Sequence, residues 1–255
     1  MYYIKMMFHK QKLINIHNST YIFILISFFA GYFEYIFLFL LVILVHESGH
    51  YLFAVLNGIN VREIEIYPFG GITLFDTDLN IKIKKEFFCL IGGIIFQLLF
   101  YYLIIKLYKF NFITDHVFNI IKKINILLIS FNFMPILPLD GGKLLNLILD
   151  YFFTYKISNI ISIIISLIFI LLFLIYNKTI FGILLCIFLL KNIIIETINL
   201  KLKYNKFLLE RYLNNYTFNK VKIVKNIYKL KRDYTHIINN CFEEKILHEM
   251  FDREV

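Results

Sequence analysis

Apolar residues in this chain fall in long runs and seldom alternate with charges. Six runs are legible, at 21–33, 35–56, 87–105, 120–149, 157–175 and 180–195. Five approach or exceed the roughly 20 residues that a helix needs to cross a bilayer, and the first reaches that length by borrowing from 14–20. Glycine, proline and the pair Lys122-Lys123 interrupt the fourth. A different texture lies between the second and third runs. Val61-Arg-Glu-Ile-Glu-Ile-Tyr67 alternates, Pro68-Phe69-Gly70-Gly71 turns, and Ile72-Thr-Leu-Phe75 resumes. Period two, a Pro/Gly turn and a second short run predict a β-hairpin. Beside membrane spans, the unpaired edge of such a hairpin is a surface that captures extended peptides. The pattern predicts an α-helical polytopic membrane protein with about six transmembrane helices and a membrane-associated β-hairpin over 1–197, followed by a separate tail over 198–255.

Composition strengthens this reading. The 255 residues are 59% hydrophobic and 18% charged, against about 45–50% and about 25% in an ordinary soluble domain. Disorder, which needs low hydrophobicity, is excluded. A cleavable signal peptide is not expected, because no A-x-A-like site follows the first run and a second span begins at once. The formal charge of +9 arises from 27 basic and 18 acidic residues, and twelve of the basic ones lie beyond Asn199. With no aromatic–basic recognition motif, the excess records membrane orientation and not nucleic-acid binding. Lys5, Lys10 and Lys12 precede the first run, the connection at 31–34 has no basic residue, and the second connection carries Arg62, Lys82, Lys84 and Lys85. Both termini and the second connection are therefore expected in the cytosol. Lys106, Lys109, Lys122 and Lys123 run against the rule and read as snorkelling side chains. Cys89, Cys186 and Cys241 are odd in number and scattered, so neither a disulfide framework nor a thiolate metal site is indicated.

Against this apolar background a few polar residues stand out. The second run contains His46-Glu47-Ser-Gly-His50. On a helix, H-E-x-x-H places two imidazoles at i and i+4, where both reach a single Zn²⁺, and sets the glutamate beside the open position to take a proton from water. Ionisable groups in an apolar helix cost about 2.5–3.5 kcal/mol each on insertion scales, so they seldom persist there without a function. Two histidines are too few for a catalytic zinc. The third candidate is Asp140, in Asn132-Phe-Met-Pro135-Ile-Leu-Pro138-Leu-Asp140-Gly-Gly142. The prolines break the helix there, and unwound backbone at membrane depth belongs in protein or beside a watery cavity. Asp140 also suits a helix cap, and both roles are compatible. Asn132 either donates to a substrate carbonyl or developing oxyanion or satisfies backbone freed by the prolines. Gly92-Gly93 reads as close helix packing and Gln97 as an interhelical hydrogen-bonding group. Glu34, Asp150 and Glu196 lie near span ends and read as interfacial.

His46-Glu47-x-x-His50, Pro68-Phe69-Gly70-Gly71 and Asn132-x-x-Pro135-x-x-Pro138-Leu-Asp140-Gly-Gly together resemble the site-2 protease family of intramembrane zinc metalloproteases, and most closely its sporulation branch. The resemblance implies one zinc per chain held by His46, His50 and Asp140, with Glu47 activating water. The hairpin around Phe69, Gly70 and Gly71 is expected to hold an extended substrate as an added strand, with Asn132 and Pro135 as further substrate-binding candidates. The implied substrate is a membrane-tethered protein, in this branch the precursor of a late sporulation sigma factor, and the implied partners are inhibitory membrane proteins. The implied location is the lipid bilayer of the mother-cell membrane around the forespore; a homo-oligomer is compatible with all of this, and nucleic acid has no part in it. The tail resembles a shortened CBS-type domain, which makes it a small cytosolic α/β unit, though it lacks a phosphate-cradling glycine loop. Two departures are visible: Gly93 is followed by Ile94 where the wider family often has Gly-Pro-x-x-Asn, and the amide four residues on is Gln97. The competing reading is an inactive membrane regulator that keeps the protease fold. A transporter would leave the H-E-x-x-H spacing unexplained and predicts internal repeats, which are not found.

Overall fold

The structure, a computed structural model, describes residues 13–68, 70–75, 79–214 and 216–252. Phe69 and the lysines at 5, 10 and 12 lie outside them. The elements in chain order are β1 (Ile14–Ile16), α1 (Asn18–Phe29), α2 (Phe33–Leu56), β2 (Val61–Tyr67), β3 (Gly70–Phe75), α3 (Ile83–Lys109), α4 (Asp115–Asn132), α5 (Asp140–Phe152), α6 (Tyr155–Tyr176), α7 (Ile180–Asn214), β4 (Val221–Val224), a 3₁₀ turn (Ile227–Lys229), β5 (Thr235–Ile238), β6 (Cys241–Phe242) and α8 (Glu243–Phe251). Among the described residues, four helices are long and apolar enough to cross a membrane by length and composition: Phe33–Leu56, Ile83–Lys109, Tyr155–Tyr176 and Gly182–Asn214. The run at 21–33 yields a helix of 12 residues, and the run at 120–149 divides into α4 and α5. The chain forms two compact units, one comprising 1–77 and 88–129 and the other 78–87 and 130–255.

In the first unit the expected hairpin forms. β2 and β3 pair antiparallel from Val61↔Phe75 to Tyr67↔Gly70, with a register shift between Val61 and Glu63. One strand was not anticipated: β1 pairs parallel with β2, Ile14 against Ile64, and covers the edge of β2. The Thr20 hydroxyl fastens α1 to this sheet by donating to the Ile66 carbonyl at 2.8 Å. The core gathers Leu38, Val42 and Ile43 of α2, Ile104 of α3, and Ile120, Ile121 and Leu128 of α4. Glu34 meets His116 at 3.4 Å in an exposed pair.

The second unit begins at the proline-broken segment. Its backbone is satisfied from within the protein: Leu137 N–H donates to Ser166 Oγ at 3.0 Å, and Leu139 N–H to the Ile136 carbonyl at 2.9 Å. Unwound chain in an apolar setting survives on such terms. The segment folds back on the first turn of α5, so a Cβ on Gly141 would strike the Phe133 and Met134 carbonyls. The cap of α5 is Leu139, with no side-chain bond, and Asp140 is the first helical residue. The capping role is thus not taken; the carboxylate instead sits in the first turn, where the helix dipole favours negative charge. Ile136, Leu137, Ile163, Ile170, Cys186, Leu189 and Ile193 pack together.

Helix α7 runs without a break through position 198 and into the tail, where β4 pairs parallel with β5 and β5 antiparallel with β6. Tyr204, Phe207 and Leu208 of α7 pack against Val224, Leu230, Ile238 and Leu247 of the tail and Tyr155 of α6. Two buried arginines organise the polar contacts. Arg211 donates to Glu243 at 2.9 Å, to Asn80 Oδ1 at 2.7 Å and to the Lys231 carbonyl at 3.0 Å. Arg232 donates to Asp150 at 3.1 Å, Glu86 at 2.6 Å and the Ile81 carbonyl at 2.7 Å. Asp150, read from sequence as interfacial, is instead fully buried between Arg232 and the Ser158 hydroxyl.

His236 makes the tail sensitive to pH. His236 is fully buried, its Nε2 accepts from Lys231 N–H at 3.0 Å, and its Nδ1 donates to Glu243 at 2.8 Å. Burial drives its pKa below the ordinary imidazole value, with Arg211 and Lys222 adding to the effect and Glu243 opposing it. The unfolded chain, with an imidazole pKa of about 6.5, therefore binds the proton that the folded tail refuses. The neutral ring's contribution is intact above about pH 6.5 and lost as pH falls through that value and below. Hydrogen exchange at β5, corrected for intrinsic rates, should show weaker protection at acid than at neutral pH; equal protection would refute the assignment.

Candidate metal centre

Helix α2 carries His46 and His50 one turn apart, and the ligand atoms of His46, Glu47 and His50 all lie within 4.8 Å of one another. All three residues are buried. Each imidazole is oriented through its Nδ1. His46 Nδ1 lies 3.0 Å from Gln97 Oε1, whose own amide nitrogen donates to the Asn125 carbonyl at 3.4 Å. His50 Nδ1 lies 2.9 Å from the Cys89 carbonyl. Both partners are acceptors, so both rings carry their proton on Nδ1 when neutral. Their Nε2 lone pairs then face each other at 3.1 Å with no proton between them. A cation resolves that arrangement. Two nitrogens each about 2.05 Å from a tetrahedral zinc ion sit about 3.3 Å apart, so the pair fits zinc.

Strand β3 closes over the third member. The Thr73 hydroxyl donates to Glu47 Oε2 at 2.6 Å, and Gly71 lies so close that any Cβ would strike the Glu47 side chain. Glycine is needed at Gly71 for space, and the same holds at Gly93, where a Cβ would come within 2.9 Å of His46 Cε1 and into the His50 ring. Gly92, by contrast, meets Gly49 and Phe53, the helix packing that the sequence led us to expect for the pair.

The remaining sequence candidates divide by unit. Gly70 and Gly71 open β3 in the first unit. Asn132 ends α4, Pro135 lies in the broken segment, and Asp140 begins α5 in the second unit. Asp140 is buried, with Lys143 Nζ 3.3 Å from its Oδ1. Gln97, Thr73 and the Cys89 carbonyl were not anticipated as partners of the site. One signal was available for Gln97: it lies four residues after Gly93, on the same helix face. It is fully buried and its amide is committed at both ends. Groups that orient a ligating histidine typically govern metal affinity by 10- to 100-fold. Gln97→Leu should therefore lower zinc affinity by roughly 10- to 100-fold in a chelator competition; unaltered affinity would remove Gln97 from the site.

Comparison with known proteins follows the same residues. The model of Peptidase family M50 matches residues 34–113, a segment containing His46, Glu47, His50, both strands of the hairpin and Gln97. Stage IV sporulation protein FB of Bacillus subtilis is 30% identical over 53% of this chain and 47% of its own length. A zinc metalloprotease of Methanocaldococcus jannaschii is 29% identical over 49% of this chain and 36% of its own. The chain thus spans less than half the length of these relatives. The solved structure of the site-2 protease from M. jannaschii superposes with a TM-score of 0.56 at 24% identity, covering 72% of this chain and 89% of the other. Sequence and backbone point the same way: residues 34–113 match the model of Peptidase family M50, and the chain shares the fold of the M. jannaschii site-2 protease.

Proposed function

We propose that the chain is an intramembrane zinc metalloendopeptidase in which His46, His50 and Asp140 hold one zinc ion and Glu47 is the general base. The observation that carries this is the pair of Nε2 lone pairs converging at 3.1 Å beside a buried carboxylate, with each Nδ1 committed to an acceptor. Bound there, zinc would polarise the scissile carbonyl and lower the pKa of water towards about 7. Glu47 takes the water proton and later delivers it to the leaving amine. Thr73 holds the Glu47 carboxylate in one orientation, and Gln97 and the Cys89 carbonyl hold the two imidazoles. The inactive-regulator alternative predicts a damaged constellation, whereas His46, Glu47 and His50 are intact and oriented.

The substrate is a membrane-tethered protein that unwinds to reach the site. With β1 on one side of β2 and β3 on the other, an extended substrate would add at β3, which Gly70 and Gly71 open, with Phe69 as a further substrate-binding residue. Asn132 and Pro135 complete the substrate-binding set. The likeness to Stage IV sporulation protein FB supports a sigma-factor precursor as substrate, inhibitory membrane proteins as partners and the mother-cell membrane as the location, with both termini cytosolic. The functional division is an intramembrane metalloprotease domain over 1–197 and a cytosolic, shortened CBS-like tail over 198–255. In the defining experiment, the purified chain is incubated with a tethered precursor. Chelation should abolish cleavage and stoichiometric zinc should restore it; cleavage that survives removal of all metal would overturn the proposal.

A further inference from the structure

Among the described residues, a group of cations in the tail has no carboxylate partner. Lys231 Nζ lies 5.2 Å from the centre of the Tyr234 ring and 5.8 Å from that of Tyr151, and Lys220 Nζ lies 5.6 Å from the same Tyr234 ring. Lys222 stands two residues after Lys220 on exposed strand β4. Among the described residues, none of these three lysines is paired with a carboxylate. Three buried or half-buried acids nearby are committed elsewhere: Asp150 and Glu86 to Arg232, and Glu243 to Arg211 and His236. Lys231 is itself buried, and after burial the repulsion of Lys222 and Lys220 pulls its pKa below the ordinary lysine value. Two ammonium groups beside one aromatic ring, neither paired with an acid, favour an anion near them.

Its position indicates which anion. Lys231 Nζ also donates to the Phe152 carbonyl at 3.4 Å, at the C-terminal end of α5 just before α6. Tyr151, Phe152 and Phe153 are exposed there. Helix α6, one of the four apolar helices long enough to span, begins two residues later at Tyr155. In its first turn Lys156 Nζ lies 5.0 Å from the Tyr228 ring. Aromatic side chains beside the end of a span belong at headgroup depth, and lysines there are drawn to anionic lipid. A soluble phosphate would satisfy the lysines and leave the neighbouring phenylalanines in water.

We propose that Lys220, Lys222 and Lys231, with Tyr234 and Tyr151, form a binding site for the phosphate headgroup of an anionic membrane lipid, whose acyl chains lie along Phe152 and Phe153. The site secures the tail against the membrane surface at the foot of α6. It is independent of the peptidase reading and requires only that α6 crosses the bilayer.

The sequence contains no tryptophan, so Phe152→Trp gives the full chain a single reporter beside the site. In nanodiscs, bromine-labelled phosphatidylglycerol should quench this tryptophan far more than bromine-labelled phosphatidylcholine at equal mole fraction. Each lysine near an anionic surface is worth about 1 kcal/mol, or roughly five-fold in affinity. Replacing all three with glutamine should therefore cost on the order of 100-fold in anionic preference. Replacing all three with arginine should keep it. Lys220→Gln/Lys222→Gln, confined to exposed β4 and its approach, should give an intermediate loss with an unchanged circular dichroism spectrum. Equal quenching by the two lipids, or a preference that survives the glutamine variants, overturns the proposal. Displacement of phosphatidylglycerol by inorganic phosphate at constant ionic strength overturns the lipid as occupant and assigns the site to a soluble phosphate ligand.

Discussion

Glu47→Gln should lower the rate of substrate cleavage by roughly 10²- to 10⁴-fold, the usual contribution of a positioned general base, while zinc content stays as in the parent. The amide is nearly isosteric with the carboxylate. It fits against Gly71, where the Glu47 side chain leaves no room for a Cβ, and its oxygen still accepts the Thr73 hydroxyl that now bonds Oε2 at 2.6 Å. Only the capacity to take a proton is lost. Co-expression of each form with the candidate sigma-factor precursor, with metal content measured on the purified chains, separates chemistry from folding. Equal processing by both forms would exclude Glu47 as the base. Loss of zinc along with activity would instead make Glu47 part of the metal's support.

The second large effect concerns stability. Arg232→Met leaves Asp150, fully buried, facing an apolar side chain in place of a guanidinium at 3.1 Å. Breaking a buried pair from one side typically costs 3–5 kcal/mol, because the remaining charge is uncompensated. The unit containing the tail should therefore unfold at markedly lower denaturant concentration, with hydrogen exchange accelerated across β4 to α8. Arg232→Met/Asp150→Asn removes both charges and should recover much of that loss. Glu86, at the guanidinium's other nitrogen, is partly exposed and can be rehydrated, so its share is smaller. If the double variant proves no more stable than the single one, the pairing does not hold the tail in place.

How far the sequence could be read follows from the range of each interaction. His46, Glu47 and His50 lie within one helical turn, so their convergence is written in their spacing. The hairpin was legible for the same reason: its strands lie close together in sequence, and side-chain period alone distinguishes them from the helices around them. Partners far apart in sequence left weaker traces. β1 is three residues long and joins β2 across some fifty positions, too short a run to show a period. Thr73 looks like any strand residue until β3 is laid over α2. Asp150 sits at a helix end, where an acid is ordinarily solvated, and only the return of the chain at Arg232 buries it. The run at 120–149 was long enough for one span, and its prolines indicated a break, but the sequence did not say that the freed Leu137 N–H would find Ser166.

Helix α7 has 35 residues and no break, which at 1.5 Å per residue makes a rod about 50 Å long, well beyond the roughly 30 Å of a bilayer's hydrocarbon. A rod of that kind has an angular phase. Each residue turns the chain about 100°, so Arg211, near its far end, faces Asn80 and Glu243 only because the count from Ile180 is what it is. Inserting or deleting one residue in α7 would swing that guanidinium about a quarter turn away from its partners, whatever the residue's hydrophobicity. The length of α7 is accordingly constrained as tightly as its composition is loose: it can exchange one aliphatic side chain for another, but it cannot gain or lose a position.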